Sequence, residues 1–315
     1  SSADGATINL QSRVLVWDNS SCQISTDALD DEASGGDVIW LHPTCSDGEG
    51  GSCSMHIGDD TVNPISSEYA LSNAELNTID TADSATVYLG DYYSGGSSLT
   101  TAVSLVYLSD LDVPPSLSRW LYVHGAEISL TESAALHIDA AFVYLISLGN
   151  ISFASSASIH LNSSAADGRL FLQTDADCAS SAGHLVLSQS TSLSTASGAE
   201  LMYYGGDVLM VDPPTTSLNA SSSTIIISER CSSSYSMAIG GSGSPSDGES
   251  YALNLVQSEL TTLHAASLEL ISNLGAMYVS GFTQSVSMSG VSGGHITMQT
   301  LSGGITFGDA ATILD

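Results

Sequence analysis

Apolar residues alternate with small polar ones through most of this chain. The alternation runs through ATVYLGD (85–91), SLVYLSDL (104–111), WLYVHGAEISL (120–130), ALHIDAAFVYLISL (135–148), ISFASSASIHL (151–161), GHLVLS (183–188), STIIIS (223–228) and GHITMQTLSGGITFG (294–308). Gly, Ser, Asp or Asn separates one run from the next. A period of two puts alternate side chains on opposite faces of an extended backbone, so these runs predict β-strands. Their spacing of about 8 to 12 residues fits a sandwich, a barrel or a solenoid. YALNLVQSELTTLHAA (251–266) differs: Leu253, Val256, Leu260 and Leu263 share one side of a helix, which predicts a short helical turn between strands.

The pattern is written twice. SCSMHIGDDTVNPISSEYALSNAEL (52–76) is answered by SYSMAIGGSGSPSDGESYALNLVQSEL (234–260), GGDVIWLHP (35–43) by GGDVLMVDP (205–213), and SSADGATINLQ (1–11) by SSAADGRLFLQ (163–173). The blocks recur in one order, and their offset drifts as inserted turns would make it drift. Two diverged tandem copies, 1–162 and 163–315, follow from this. Long duplicated units of short strands with Gly-rich corners favour a solenoid over a sandwich, so the expected fold is all-β, a parallel β-helix (β-solenoid) continuous through both copies. With ~20 residues per turn and ~4.8 Å between turns, the chain would span roughly 75 Å of axis.

EYALSNAELNTIDTADSATVYLGD (68–91) resembles the repeats of filamentous-haemagglutinin-like and autotransporter-passenger β-helices, through Leu71, Ser72, Glu75, Leu76, Ile79, Leu89 and Gly90. The second copy keeps Glu259, Leu260 and Leu263, inserts two residues and lacks the closing glycine. The resemblance covers about a fifth of the chain and implies a right-handed parallel β-helix in a secreted, elongated surface protein. Five cysteines and several glycosylation sequons depart from bacterial passengers and suit a eukaryotic or otherwise oxidising source.

Charge narrows the partners. The chain has 34 acidic residues against four arginines (Arg13, Arg119, Arg169, Arg230) and no lysine, a formal net charge of −30. It cannot release counterions from phosphates, which argues against nucleic acid and anionic membrane as partners. The longest apolar stretch, AAFVYLI (140–146), is far below the ~20 residues of a membrane-spanning helix.

Four sequons, at Asn19, Asn150, Asn162 and Asn219, predict N-linked glycans and an extracellular location. Equivalent positions in the two copies predict the disulfides Cys22–Cys45 and Cys178–Cys231, leaving Cys53 unpaired or available between chains. A Cys45–Cys53 bridge across CSDGEGGSC is the alternative. No cysteine pair has zinc-site spacing.

Candidate chemistry is sparse. Asp30, Asp31, Asp59 and Asp60 are the carboxylate pairs a glycoside hydrolase would need, yet the second copy does not keep the Asp59–Asp60 pair, and no enzyme is expected. No cofactor is expected either, although TDALDDEASGGD (26–37) gathers enough oxygen for a structural calcium ion. The histidines, among them His42, His56, His124 and His264, occur singly and read as rung-facing or surface residues. Tyr92, Tyr93, Tyr203, Tyr204, Trp40 and Trp120 offer aromatic area that could stack sugars, but packing beneath strand ends is the preferred reading.

A solenoid whose first and last segments have the composition of middle rungs lacks polar caps. SSADGATINLQ and ISFASSASIHLN are such rungs, and ATILD (311–315) would run on into another SSADG. The sequence therefore predicts a structural subunit or repeat segment of an extracellular, glycosylated fibre, with copies of itself stacked end to end. A surface adhesin or carbohydrate-binding passenger on a β-helix stalk is the second reading, and a β-helix glycoside hydrolase the third.

Overall fold

The alternation resolves into parallel pairing. A computed structural model of the chain describes residues 7–12, 24–25, 38–43, 53–59, 69–80, 85–90, 103–114, 117, 119–163, 167–176, 178, 183–220, 222–229, 235–240, 252–273, 275–281 and 295–308. Over these residues the protein is all-β, with parallel strands stacked into parallel sheets of ten, seven, six, four and two strands and two single α-helical turns, Asn73–Leu76 and Gln257–Leu260.

Through the middle of the chain, successive strands enter three sheets in rotation. Trp120–Gly125 lies in the ten-stranded sheet, Glu127–Leu130 in the seven-stranded sheet and Ala135–Ile138 in the six-stranded sheet. Phe142–Ser147, Ile151–Phe153 and Ser158–Leu161 then repeat the circuit, each pairing parallel with its predecessor. Trp120 lies opposite Phe142, 22 residues on, whereas Val38 lies opposite Thr86, 48 residues on. The larger circuits leave ten strands in the longest sheet, about 43 Å at ~4.8 Å per strand, shorter than the 75 Å expected from a uniform 20-residue turn.

Register is fixed by what faces inward, because a one-residue slip would turn every side chain to the other face. Ile8, Ile39, Val87, Leu121, Val143, Leu170, Leu201, Ile225, Leu268 and Ile296 form one ladder across all ten strands. Its eight central members are buried in a single continuous core. A second ladder, from Leu10 through Leu145, Leu172 and Tyr203 to Met298, runs beside it. At the corners between the seven- and six-stranded sheets, Ser133, Ser156 and Ser190 adopt left-handed backbone (φ 59–62°). The Ser133 N–H donates to the Ser155 carbonyl and the Ser156 N–H to the Gln189 carbonyl, so the corners hydrogen-bond one onto the next.

The duplicated sentence folds into a duplicated module. Cys53–Ile57 and Tyr69–Leu71 are consecutive parallel neighbours in one sheet, followed by the helical turn Asn73–Leu76. Tyr235–Gly240, Leu253–Leu255 and the turn Gln257–Leu260 repeat this arrangement. The equivalence is not letter for letter: Met55 pairs with Tyr69, but Met237 pairs with Leu253. The two extra residues of the second copy thus precede its strand, and the second YAL does not occupy the place of the first. The two GGDV blocks also lead to different sheets, Val38–Pro43 in the ten-stranded and Val208–Met210 in the seven-stranded sheet.

Candidate functional site

Two surfaces stand out, the end strands and the outer face of the ten-stranded sheet. Among the described residues, Thr7–Ser12 pairs only with Val38–Pro43, and His295–Thr300 only with Ser267–Ser272. Each therefore presents one edge of backbone donors and acceptors without a described neighbour. The inner ladders emerge there: Ile8 and Leu10 at one end, and Ile296, Met298 and Ile305 at the other, are only partly buried. Leu301 and Phe307, beside the latter, are 62% and 53% exposed. The two edge strands read TINLQS and HITMQT, the same alternation over the same six positions.

On the outer face, alternate residues of four adjacent strands place Tyr88, Tyr122, Tyr144 and Phe171 in one row. Tyr88 and Tyr122 stack with centroids 4.8 Å apart, and Tyr122 and Tyr144 at 4.4 Å, so these rings cover one another's faces. The stack then opens, with Tyr144 and Phe171 5.2 Å apart and tilted by 47°. Trp40 meets Tyr88 edge-on at 5.8 Å. A parallel row begins with Trp120 stacked on Phe142 at 4.0 Å, with the Arg119 guanidinium 5.8 Å above the Phe142 ring.

Polar groups tie down the rim of this face. Tyr122 hydrogen-bonds Tyr144, which also takes a bond from Arg169, and burial pushes both phenols above their ordinary range. Arg169 in turn grips the Glu200 carboxylate through Nε at 3.1 Å and Nη2 at 2.8 Å. Two residues along each strand, His124, Ile146 and Gln173 form the next row and lie nearly flat, at 1%, 5% and 3% exposure. A groove of about 350 Å³ runs between the aromatic row and this floor.

The structure distributes the residues expected from sequence unevenly. Asn162 is exposed after strand Ser158–Leu161, its Nδ2 donating to Asp139 Oδ1 at 2.8 Å. Asn150 and Asn219 are half-buried; Asn150 Oδ1 accepts the His184 N–H at 2.8 Å, and Asn219 lies in a strand opposite Ser194 and His264. Cys178 is exposed, left-handed at φ 54° and disulfide-bonded. Asn19, Cys22, Cys45 and Cys231, like the side chain of Cys53, lie outside the described residues.

Asp59 is exposed and tied into a corner, accepting the Asn73 N–H at 3.0 Å while its own N–H donates to the Asp110 carbonyl. Asp30, Asp31, Asp60, Tyr92, Tyr93 and the segment 26–37 lie outside the described residues. No group of three or more His, Cys, Asp or Glu side chains suited to a metal occurs among those described. His56 is buried, with Nε2 2.8 Å from Ser109 Oγ, and His124 belongs to the groove.

For Tyr203 the packing reading holds. Tyr203 cannot stack a sugar, because alternation turns it into the core, fully buried, with its hydroxyl 2.9 Å from Thr174 Oγ1 and donating to the Gly206 carbonyl. Its neighbour Tyr204 takes the outer face, 5.2 Å from Phe171. The groove residues Tyr88, Tyr122, Tyr144 and Phe171 were readable only as the recurrent middle letter of VYL, LYV, VYL and LFL. Comparison with known protein families, curated proteins and solved structures finds no match to this chain.

Proposed function

We propose that the chain is a segment of an extracellular fibre, a parallel β-helix that grows by adding rungs of one cross-section at either end. The observation that carries this reading is the match between the two edge strands. If His295–Thr300 received a strand of the pattern TINLQS, Ile296 would meet an isoleucine and Met298 a leucine, continuing the inner ladders without a break. The next rung belongs either to the same polypeptide or to a second copy; the edge accepts both alike.

The remaining features serve such a fibre. Among the described sequons, exposed Asn162 is the best placed to carry a glycan, and Cys178–Cys231 and Cys22–Cys45 are the bridges proposed. Thirty net negative charges keep neighbouring fibres apart laterally, while end contacts rely on backbone pairing and apolar burial.

The reading is tested by electron microscopy and sedimentation of the purified chain alongside the double variant Ile296→Asp/Met298→Asp. Wild type should form rods several chains long, and the variant, with two charges in the inner ladders of its edge, rods of one chain length. Wild type that stays single at high concentration, or a variant that assembles equally well, would remove the basis for the proposal.

A further inference from the structure

The groove beside the aromatic row has the chemistry of a ligand site. Gln173 forms part of its floor and is 3% exposed, yet its Nε2 finds no acceptor among the described residues. A buried amide donor left unpaired is unfavourable, so the position is improved by any occupant that brings an oxygen to it.

Charge and shape select the occupant. Among the described residues no carboxylate, Lys or Arg lines the groove; Arg169 at its rim is engaged by Glu200, and the chain as a whole repels anions. An anionic ligand is therefore repelled, and a simple cation or a purely apolar ligand, bringing no acceptor, would leave Gln173 Nε2 unpaired. The walls are aromatic, and the 47° opening between Tyr144 and Phe171 leaves ring face uncovered where the Tyr88–Tyr122–Tyr144 stack does not. A neutral group with one apolar CH face and several hydroxyl acceptors fits both requirements, and about 350 Å³ is at the lower end of small-molecule sites.

From this we infer that the groove binds a sugar unit of a neutral glycan, its CH face against Phe171 and Tyr144 and one of its oxygens accepting from Gln173 Nε2. The site lies on the side of the sheet rather than at its end strands, so it stands independently of fibre growth.

The test is a microarray of neutral oligosaccharides, with affinities of positive probes measured by calorimetry on the whole chain and on Gln173→Met. Methionine keeps the length and volume of glutamine but has no donor, so the variant should fold with an unchanged or higher melting temperature while binding its probe at least ten-fold more weakly. Phe171→Leu, removing the ring from the wall, should weaken the same probe. Three results overturn the proposal: no neutral oligosaccharide bound by wild type, binding equal in wild type and Gln173→Met, or capture of uncharged peptides in preference to sugars.

Discussion

Glu259 gives the sharpest stability prediction, because one hydroxyl separates it from its counterpart. In the first module Ser72 caps the helical turn; its N–H and its hydroxyl donate to Glu75 Oε2 at 2.7 and 2.9 Å, and the Glu75 N–H donates back to the hydroxyl, a complete capping box. In the second module position 72 is matched by Val256, so only its N–H reaches Glu259 Oε2, at 2.9 Å. Glu259 is also 8% exposed where Glu75 is half-buried. Burial, aided by the nearby Asp207 carboxylate, raises the Glu259 pKa to about 7, against the opposing backbone bonds from Val256 and Met210.

A carboxyl whose pKa is raised on folding holds its proton longer in the native state than in the unfolded chain. Stability is therefore fully present below the unfolded value of 4.5 and is lost as pH rises through about 7. A shift of this size corresponds to about 3 kcal/mol as an upper figure, at roughly 1.4 kcal/mol per pH unit. Glu259→Gln retains an oxygen to accept the Val256 N–H and cannot ionise. Urea unfolding between pH 4.5 and 8.5 should show the variant equal to wild type at the acid end and more stable by up to about 3 kcal/mol at the alkaline end. The general repulsion of a −30 chain is nearly common to both proteins and largely cancels in the difference. Val256→Ser should return the missing donor, favour the ionised carboxylate and so lower the Glu259 pKa toward its ordinary value, making the alkaline loss smaller than in wild type. If the Glu259→Gln and wild-type curves run parallel across the range, the carboxyl is solvated and the reasoning fails.

Two further substitutions probe backbone and core. Tyr203→Phe removes a hydroxyl that is 2.9 Å from Thr174 Oγ1 and donates to the Gly206 carbonyl, leaving that carbonyl with one bond fewer; chemical denaturation should show a loss of about 1–3 kcal/mol. Gly90 is left-handed at φ 96°, and a Cβ there would strike the His124 carbonyl oxygen, so Gly90→Ala should cost more than about 1 kcal/mol. Gly304→Ala, with nothing within 4 Å of the new methyl, is the comparison and should stay within about 0.5 kcal/mol of wild type.

How far these features could be read from the sequence depends on the range over which each is determined. Inward and outward faces are local: Leu170, Leu172 and Gln173 fall where RLFLQ puts them, because pleating allows nothing else. The cap was not read from the sequence, although its Ser-x-x-Glu spacing, and Val-x-x-Glu in the second copy, are local signals that carry it. Sheet membership is not local. The same four letters GGDV precede strands of two different sheets, since a strand joins whichever edge the preceding circuit left exposed, and within the ten-stranded sheet circuit length varies from 22 to 48 residues.

The same limit explains why Tyr203 and Tyr204, adjacent in sequence, separate into core and surface, while Tyr122, Tyr144 and Phe171, far apart in sequence, become neighbours. Stacking of parallel strands turns a loose recurrence of one letter per circuit into a contiguous surface. Substitution at any of these positions changes one rung without altering the register of the others, because register is held by the inner ladders. Outer rows such as 88–122–144–171 can therefore vary independently of the fold. In this protein the row is aromatic, its neighbouring floor carries a buried amide donor, and the end strands repeat one six-residue pattern; the lateral recognition and axial growth proposed above would rest on separate faces of the same strands.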